Sequence, residues 1–454
     1  MSRLFSIKNF GCRATQADGA GIAADLAARG LHRTEDHAAA DVVVLNTCTV
    51  TAEADRDARQ AIRRIHRENP GAEVLVTGCY AQRSPQELSN IQGVKWVVGN
   101  SHKHEIGEMI APRLVQIGGA LQQRHAYHGE IVAGTTLVGD VAELRTVPSM
   151  PVGDPLGRSR PNVKVQDGCS NRCAFCVIPS VRGRSRSATA EAVIREIRAL
   201  QDRYAEIVLT GINLGRWGRD LDGRPKFVEL LRAILSQTTV GRIRLSSVEP
   251  MDWSEDLIEF MAGSERIAKH VHVPLQSGSD AVLRRMRRKY RVRHYEGRLA
   301  LVRRWVPLAA IGADVMVGFP GETDDEFEQT RAFVERMPFT YLHVFSYSSR
   351  EGTEAADMDA QVPKSVKRER SRVLRELIDR KNLEFRRNLV GSTVSAVTLA
   401  AGEGTSRALS ENFVEIHLKS EETEPGLLTR VRIESVEAGR TVGSSVGHAA
   451  MPVC

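Results

Sequence analysis

The stretch DVVVLNTC, residues 41–48, decides how the first part of this 454-residue chain folds. Its consecutive apolar residues predict a strand that is buried on both faces, and the strand ends on a cysteine. Two other stretches have the same form, since LFSIKNFGC ends on Cys12 and EVLVTGC ends on Cys79. Helical segments separate these strands, and the alternation predicts a doubly wound parallel α/β domain.

Cysteines that follow successive parallel strands are expected at one edge of the sheet. In open α/β sheets, ligands bind outside the carboxyl ends of the strands. Cys12, Cys48 and Cys79 would all leave the sheet there, and three converging thiolates could hold an iron–sulfur cluster with one open iron. The alternative is that each cysteine is a small buried apolar residue. Three repeats of the pattern favour the cluster.

The rest of the chain predicts two further domains. From residue 162 a second alternating set begins, with strands predicted over 162–166, 206–211, 242–247, 270–275, 312–318 and 341–347. Six β/α units predict a partial (β/α)6 barrel, and a basic helix follows over 364–388. Short alternating runs after Gly391 predict a small all-β barrel. We therefore divide the chain into an N-terminal domain, a linker, a β/α barrel and a β-barrel, over 1–135, 136–160, 161–388 and 389–454.

The composition is that of a globular protein, with 42% hydrophobic and 26% charged residues. No run approaches the roughly 18 apolar residues of a membrane span. The N-terminus has no long apolar stretch, so we expect no signal peptide, no membrane contact and a cytoplasmic location. A reducing compartment disfavours disulfides, so the clustered cysteines point to metal binding or catalysis.

The charge is mildly basic, with a net value of +7, and two stretches carry much of it. Residues 284–293 hold seven Lys or Arg and no acid, so we infer that their charge is uncompensated, which favours an anionic partner such as nucleic acid. Residues 364–387 hold ten basic and four acidic residues. That second stretch equally fits a solvated helix face with pairs such as Arg372–Glu376.

The stretch DGCSNRCAFC, residues 167–176, follows the first strand of the predicted β/α barrel. Active sites of such barrels lie in the loops after the strands. Cys169, Cys173 and Cys176 could bind three irons of a cubane cluster and leave the fourth open to a small molecule. Structural zinc is the alternative, but zinc prefers four closed ligands, and no histidine follows closely.

With Phe175 before its last cysteine, this loop resembles that of the radical S-adenosylmethionine superfamily. The resemblance implies that the open iron holds the cofactor's amino and carboxylate groups, and that an electron cleaves the cofactor to a 5′-deoxyadenosyl radical. The chain as a whole resembles the methylthiotransferase family, through the motifs NTCTVT, GCYAQ, VKVQDGC, IPSVRGRSRS, LTGINLG, HVPLQSGSD and VGFPGET. It departs from the family at Thr15, where asparagine is common.

The family resemblance implies an auxiliary-cluster domain, a radical domain and a TRAM barrel that binds RNA. The segments 242–259 and 272–290 are most similar to members that methylthiolate C2 of N6-threonylcarbamoyladenosine at tRNA position 37. S-adenosylmethionine would then serve as both methyl donor and radical source. The alternatives are isopentenyladenosine in tRNA, an aspartate of a ribosomal protein, or, in another class, a non-catalytic RNA-binding metalloprotein.

The implied cofactors are S-adenosylmethionine and two [4Fe–4S] clusters. Cys12, Cys48 and Cys79 would hold the auxiliary cluster, and the loop cysteines the other. The implied partners are the tRNA anticodon stem-loop and an electron donor such as flavodoxin or ferredoxin, with the enzyme acting as a monomer.

Further cofactor-binding residues are expected where the barrel strands end. They are Phe175, Arg186, Thr210, Gly211, Asn213, Ser247, Glu249, His272, Gln276, Val317 and Gly318. For Thr210 and Asn213 the alternative is an ordinary turn, and for Glu249 it is an ion pair with an arginine. For His272 the alternative is a position in the core, and for Arg186 it is exposure to solvent. Gly318 would let the flat adenine approach the backbone. Phe413 is predicted in the core of the small barrel rather than stacked on a base.

Overall fold

The computed structural model describes residues 3–112, 114–117, 120–123, 135–148, 150, 153, 156–399, 406–419 and 424–448. The chain divides into two compact units. The first unit comprises Met1–Leu156, Asp167–Asn171 and Cys176–Arg186, and the second comprises the other residues. Every helix among the described residues is too short or too polar to span a lipid bilayer. The division into four segments stays a prediction, and Cys454 lies outside the described residues.

The first unit is built on a parallel sheet, as predicted. Its elements are β1 Leu4–Asn9, α1 Arg13–Ala28, β2 His32–Arg33, β3 Val42–Thr47, α2 Ala52–Glu68, β4 Glu73–Gly78, α3 Cys79–Arg83, α4 Pro85–Ser89, β5 Val94–Val98, α5 Ile106–Ile110, β6 Leu114–Ile117, β7 Ala120–Gln123 and β8 Thr135–Leu137. The strand order is β2-β1-β3-β4-β5-β8. Val42 and Val44 pack into one apolar cluster and Val43 and Leu45 into another, so β3 is buried on both faces.

The second unit contains the six strands predicted for the β/α barrel. The elements from residue 162 are β9 Asn162–Asp167, α6 Ile178–Arg182 (in the first unit), β10 Arg186–Ser187, α7 Ala190–Leu200, β11 Glu206–Gly211, α8 Phe227–Gln237, β12 Arg242–Leu245, α9 Glu255–Gly263, β13 His270–His272, α10 Asp280–Arg285, α11 Val292–Trp305, β14 Ala310–Val317, α12 Asp324–Arg336, β15 Tyr341–Ser346 and α13 Lys364–Arg387. They form two sheets, β10-β9-β11-β12 and β13-β14-β15. The main-chain hydrogen bond from Val248 N to His272 O, at 3.1 Å, connects the strand ends of the two sheets.

The C-terminal segment of the second unit is a closed barrel, as predicted. Its strands are β16 Thr393–Leu399, β17 Ser406–Ser410, β18 Glu415–Leu418, β19 Leu428–Glu437 and β20 Arg440–His448, in the order β16-β17-β18-β20-β19. Phe413 lies in the turn between β17 and β18 with a φ of 61°. Its ring stacks on His270 at a centroid distance of 4.3 Å. The prediction that Phe413 is a strand residue of this barrel's core was therefore wrong.

A buried ionic cluster joins β11 and β12 to the small barrel. Glu206 Oε2 accepts from Arg242 Nε at 2.5 Å, and Glu206 Oε1 accepts from Arg244 Nε at 2.8 Å. The other guanidinium nitrogens donate to backbone carbonyls, such as Ser395 O at 3.1 Å and Ser410 O at 2.9 Å. Burial would raise the pKa of Glu206, but the charges of Arg244 and Arg242 hold it well below its usual range.

Replacing Glu206 with Gln is expected to destabilise the protein by about 3–5 kcal/mol, because buried guanidinium groups lose their counter-charge. Since the folded-state pKa is depressed, this stabilisation is present above the unfolded value of about 4.3 and is lost as the pH falls through the folded-state pKa. The variant should therefore have a lower Tm at neutral pH and lose less stability on acidification. Calorimetry would measure both, with Glu259→Gln on the exposed face of α9 as control. A Tm equal to that of the control would contradict this account.

Acids distant in sequence neutralise much of the basic stretch 284–293. Three of its arginines form ion pairs: Arg285 with Glu326, Arg287 with Glu354 and Arg288 with Glu249. The inference that this stretch is uncompensated was therefore wrong. On α13, Arg372 pairs with both Glu369 and Glu376, at 2.5 and 2.6 Å, as expected for a solvated helix face.

Candidate active site

Cys12, Cys48 and Cys79 lie at the carboxyl ends of three neighbouring strands. Cys48 directly follows β3 and Cys79 directly follows β4, and Thr47 is in register with Gly78. Cys12 is the N-cap residue of α1, shortly after β1 ends. Because β1, β3 and β4 are adjacent and parallel, these three cysteines are brought to one edge of the sheet. We call this group the thiol edge; Cys12 is exposed and the other two are buried.

Glycine precedes two of the three cysteines, and both glycines have a left-handed φ of 99°. A Cβ at Gly11 would lie 2.9 Å from Cys48 Sγ. A Cβ at Gly78 would lie 2.3 Å from the carbonyl oxygen of Thr47. Only glycine can adopt this left-handed conformation and also leave room for neighbouring atoms this close. At these two positions the chain can therefore turn out of the sheet with the thiols near the adjacent strand.

Replacing Gly78 with Ala is expected to destabilise the first unit by about 1–3 kcal/mol from the left-handed backbone alone, before the clash is added. Displacement of the Cys79 thiol should also lower the iron content of the anaerobically prepared protein. Thermal unfolding and iron analysis would measure both effects. Gly71→Ala is a matched control, since a Cβ at Gly71 has its nearest neighbour at 3.8 Å. Normal Tm and iron in the Gly78 variant would refute the proposed need for glycine.

Arg182 is a fully buried cation beside the thiol edge. Its Nε donates to Cys79 Sγ at 3.3 Å, its Nη1 to Asp167 at 2.9 Å and its Nη2 to Asp18 at 3.2 Å. Lys103 also pairs with Asp18, at 2.7 Å. Burial would lower the pKa of Arg182, but the charges of Cys79, Asp167 and Asp18 raise it well above its ordinary value. A fixed positive charge therefore faces the Cys79 sulfur.

The chemistry of the thiol edge fits an iron–sulfur cluster. Burial and the neighbouring Cys79 and Cys12 sulfurs raise the pKa of Cys48 to about 12, so a cationic group is needed for all three to be thiolates. Polar groups also approach the sulfurs: Asn100 Nδ2 lies 3.6 Å from Cys79 Sγ, and Thr15 Oγ1 lies 3.5 Å from Cys12 Sγ. Thr15, where the sequence departs from the family pattern, therefore contacts a predicted cluster ligand.

The second cysteine motif lies in the loop after β9. Cys169, Cys173 and Cys176 are all partly exposed, which suits a cluster that must bind a small molecule. In the first unit, the amide of Cys169 donates to Gly183 O at 3.0 Å. In the second unit, Arg288 Nη1 donates to Cys173 Sγ at 3.2 Å. Each cysteine motif therefore has an arginine that donates to one of its sulfurs.

Three of the predicted cofactor residues, Glu249, Ser247 and His272, make side-chain contacts within the barrel. Glu249 forms an ion pair with Arg288, the alternative that the sequence left open for it. Ser247 Oγ is 2.6 Å from Nδ1 of His272, which is buried. Contact between Glu249 and the ribose of the cofactor stays a prediction.

The other predicted residues lie at or near strand ends. Thr210 is buried and Gly211 ends β11, while the amide of Asn213 donates to Gln166 Oε1 at 2.7 Å. Gln276 has a φ of 65°, and its amide donates to Asp314 O at 2.8 Å. These backbone contacts hold the strand-end loops in fixed positions, which is what a binding site at this end of the barrel requires.

Val317 and Gly318 were expected to lie against the adenine of the cofactor, but both have protein neighbours in the structure. Val317 is fully buried at the end of β14. Gly318 has a φ of 72°, and a Cβ there would lie 2.4 Å from Cγ of Lys367. The space left by the missing side chain at Gly318 is therefore taken by the aliphatic part of Lys367, and contact with adenine at these two residues stays a prediction.

Arg186 and Phe175 have structural partners. The Arg186 guanidinium donates to the backbone carbonyls of Arg182 at 2.7 Å, Arg184 at 2.9 Å and Thr146 at 3.1 Å, and the side chain is buried rather than solvent-exposed. Phe175 packs edge-on against Phe319 at a centroid distance of 6.4 Å. A cofactor role for either residue stays a prediction.

Sequence reasoning missed several polar residues of this region. Arg182 lies inside the motif IPSVRGRSRS, so its position was visible, although its partners were not. Asp314 is the one polar residue in the otherwise apolar strand β14, and His343 lies between Leu342 and Val344 in β15, so a polar residue inside an apolar strand was the available signal. Burial and the nearby Glu249 carboxylate raise the pKa of Asp314 to about 7.

Two family comparisons match the two cysteine motifs separately. Residues 4–99 match the family described as "Uncharacterized protein family UPF0004", and residues 163–334 match the "Radical SAM superfamily". The first match includes the thiol edge and the second includes the loop with the C-x3-C-x2-C spacing. The loop, the β/α strands and this match define an enzyme of the radical S-adenosylmethionine superfamily.

Curated relatives cover most of the chain. The threonylcarbamoyladenosine tRNA methylthiotransferase MtaB of Bacillus subtilis is 37% identical over 411 residues, which are 89% of this chain and 88% of that protein. MtaB of Aquifex aeolicus is 35% identical over 94% of this chain and 99% of its own length. A tRNA-2-methylthio-N(6)-dimethylallyladenosine synthase of Mycobacterium bovis is 35% identical over 89% of this chain and 77% of its own length. The chain belongs to the MtaB-type methylthiotransferase family.

A solved structure supports the fold. The radical S-adenosylmethionine methyltransferase TsrM of Kitasatospora setae, determined with cobalamin and a [4Fe–4S] cluster, matches with a TM-score of 0.54. The match covers 78% of this chain and 77% of TsrM at 16% sequence identity. At this identity the likeness concerns the fold alone.

Proposed function

We propose that this enzyme methylthiolates C2 of N6-threonylcarbamoyladenosine at position 37 of tRNA. The observation that carries the proposal is the presence, in one chain, of the thiol edge and the C-x3-C-x2-C loop. Support for the substrate comes from relatives named for threonylcarbamoyladenosine, at 34–37% identity. In the reaction, the hydrogen on C2 of the adenine is replaced by a methylthio group.

The enzyme uses S-adenosylmethionine and [4Fe–4S] clusters, which supply the radical and the sulfur chemistry when bound. We assign Cys169, Cys173 and Cys176 to the cluster that binds S-adenosylmethionine. We assign Cys12, Cys48 and Cys79 to an auxiliary cluster.

The protein's own task is to hold these groups and orient the cofactor. Arg182 would stabilise the Cys79 thiolate and Arg288 the Cys173 thiolate, because each guanidinium donates directly to its sulfur. Glu249 fixes Arg288 through their ion pair. We place the S-adenosylmethionine contacts at the strand ends that carry Thr210, Gly211, Asn213, Ser247, Glu249, His272, Gln276, Val317 and Gly318, with Phe175 and Arg186 on the loop side.

The enzyme acts on tRNA, and we propose the anticodon stem-loop as the part it recognises. The closed C-terminal barrel, of the kind expected for a TRAM domain, would contribute to RNA binding. We further propose a flavodoxin or ferredoxin as electron donor, a monomer as the active form and the cytoplasm as the location, since tRNA modification requires access to that RNA pool.

Mass spectrometry of tRNA nucleosides from a deletion strain would test the substrate. We expect the methylthio derivative of threonylcarbamoyladenosine to be absent in the deletion strain and to return when the wild-type gene is restored. Restoration with a Cys173→Ala variant is the control and should leave only the unmethylthiolated nucleoside. A normal level of the derivative in the deletion strain would refute the proposal.

A second candidate substrate is favoured by the relatives named for dimethylallyladenosine at 34–35% identity. The same measurement distinguishes the two, because loss and recovery would then be confined to the methylthio derivative of isopentenyladenosine.

A further inference from the structure

Three side chains with metal-binding atoms converge on the strands β13, β14 and β15. The parallel register places Asp314 directly opposite His343, and His272 opposite Gly312, two residues before Asp314 on the same face. The ligand atoms of His272, Asp314 and His343 all lie within 4.8 Å of one another. Nε2 of His272 is 3.5 Å from Asp314 Oδ1. Small side-chain rotations would bring three donors to the roughly 2.1 Å needed around one ion.

The buried imidazole of the trio is held with one nitrogen turned towards the carboxylate. Ser247 Oγ binds His272 Nδ1 at 2.6 Å, so Nε2 is the nitrogen that faces Asp314. A histidine that ligates a metal ordinarily has its other ring nitrogen hydrogen-bonded in this way. The ring also stacks on Tyr341, with an interplanar angle of 18°. That stack requires Gly312, because a Cβ there would lie 1.9 Å from the tyrosine ring.

The exposure of the trio increases from one side to the other. His272 is buried, Asp314 is half-buried and His343 is exposed. An ion held by these three residues would therefore have protein on one side and open coordination positions on the other. Two imidazole nitrogens and one carboxylate oxygen with open positions suit a divalent first-row transition metal. Hard cations such as Mg²⁺ prefer sites made of oxygen alone.

We propose that His272, Asp314 and His343 bind one divalent transition-metal ion, with zinc as the probe metal. The site is distinct from the two cysteine motifs, whose ligands are sulfur, but it shares His272 with the strand ends where we place the S-adenosylmethionine contacts. It does not depend on which nucleoside is modified, so it stands or falls separately from the proposed substrate.

Equilibrium dialysis of the cluster-loaded full-length protein against zinc would test the site, with zinc and iron counted together. We expect wild-type protein to retain one more equivalent of zinc per chain than Asp314→Asn or His343→Ala, at equal iron content. His294→Ala, an exposed histidine on α11, is the matched control and should retain zinc as wild type does. Equal iron in all four proteins also shows that the variants are folded.

X-ray absorption at the zinc edge would identify the ligands of the extra ion. We expect a first shell of nitrogen and oxygen with the scattering pattern of two imidazoles, reduced to one imidazole in His343→Ala if any zinc remains. Equal zinc in wild type, Asp314→Asn and His343→Ala would overturn the proposal, and the trio would then be an ion pair without metal. A shell dominated by sulfur would also overturn it, because the zinc would then sit at cysteines.

Discussion

The Cys48→Ala variant is expected to lose all methylthiolation while still cleaving S-adenosylmethionine. Cys48 is one of three sulfurs at the thiol edge, and it lies beside Gly11 at the end of β3. Its removal leaves two protein ligands for the auxiliary cluster, whereas the loop after β9 keeps its three. Anaerobic protein should therefore fall from about eight irons per chain to about four, since each cubane cluster holds four. Iron analysis, electron paramagnetic resonance and liquid chromatography of 5′-deoxyadenosine and of tRNA nucleosides would measure these changes.

The Cys173→Ala variant is the converse control. It should lose both cofactor cleavage and methylthiolation, because the cluster that binds S-adenosylmethionine depends on the loop, and it should retain the auxiliary cluster's irons. If Cys48→Ala lost cofactor cleavage as completely as Cys173→Ala, with the first unit still folded, the assignment of separate roles to the two cysteine groups would fail.

Hydrophobic pattern predicted most of the fold because the central strands are buried on both faces. β3 and β4 are continuous apolar runs, and such runs identify parallel strands without knowledge of their partners. The strands that were missed are short: β2 and β10 have two residues each, β8 has three, and β6 and β7 have four each. Helix α3, at Cys79–Arg83, was also missed; it ends at Ser84, and α4 begins at Pro85.

The candidate site was predictable where it depends on spacing and not where it depends on distant partners. The cysteines were visible because each follows a strand or falls in one short loop. Arg182 and Arg288 were not, since the sulfurs that they contact are 103 and 115 residues away in sequence. For the same reason, the ion pair of Glu249 with Arg288 could only be left as an alternative.

The Arg182→Met variant is expected to be destabilised by about 3–5 kcal/mol. Removing one partner from a buried ionic network leaves charges without compensation, and methionine replaces the volume but not the charge. Asp18 keeps Lys103 at 2.7 Å, and Asp167 keeps the amide of Gly168 at 2.8 Å and Arg186 at 3.9 Å, so the loss comes from the removed charge itself. Chemical denaturation followed by circular dichroism would measure the change in stability.

The same variant separates structural from electronic effects of Arg182. Its Nε donates to Cys79 Sγ, and loss of a hydrogen bond to a ligand sulfur lowers the reduction potential of a cluster. Arg182→Lys keeps a positive charge but not the forked geometry, so it should recover part of the stability and only part of the potential. Arg184→Gln, an exposed position two residues away, should change neither. Redox titration of the auxiliary cluster decides the matter: an unchanged potential in a folded Arg182→Met protein that keeps its iron would limit Arg182 to a purely structural role.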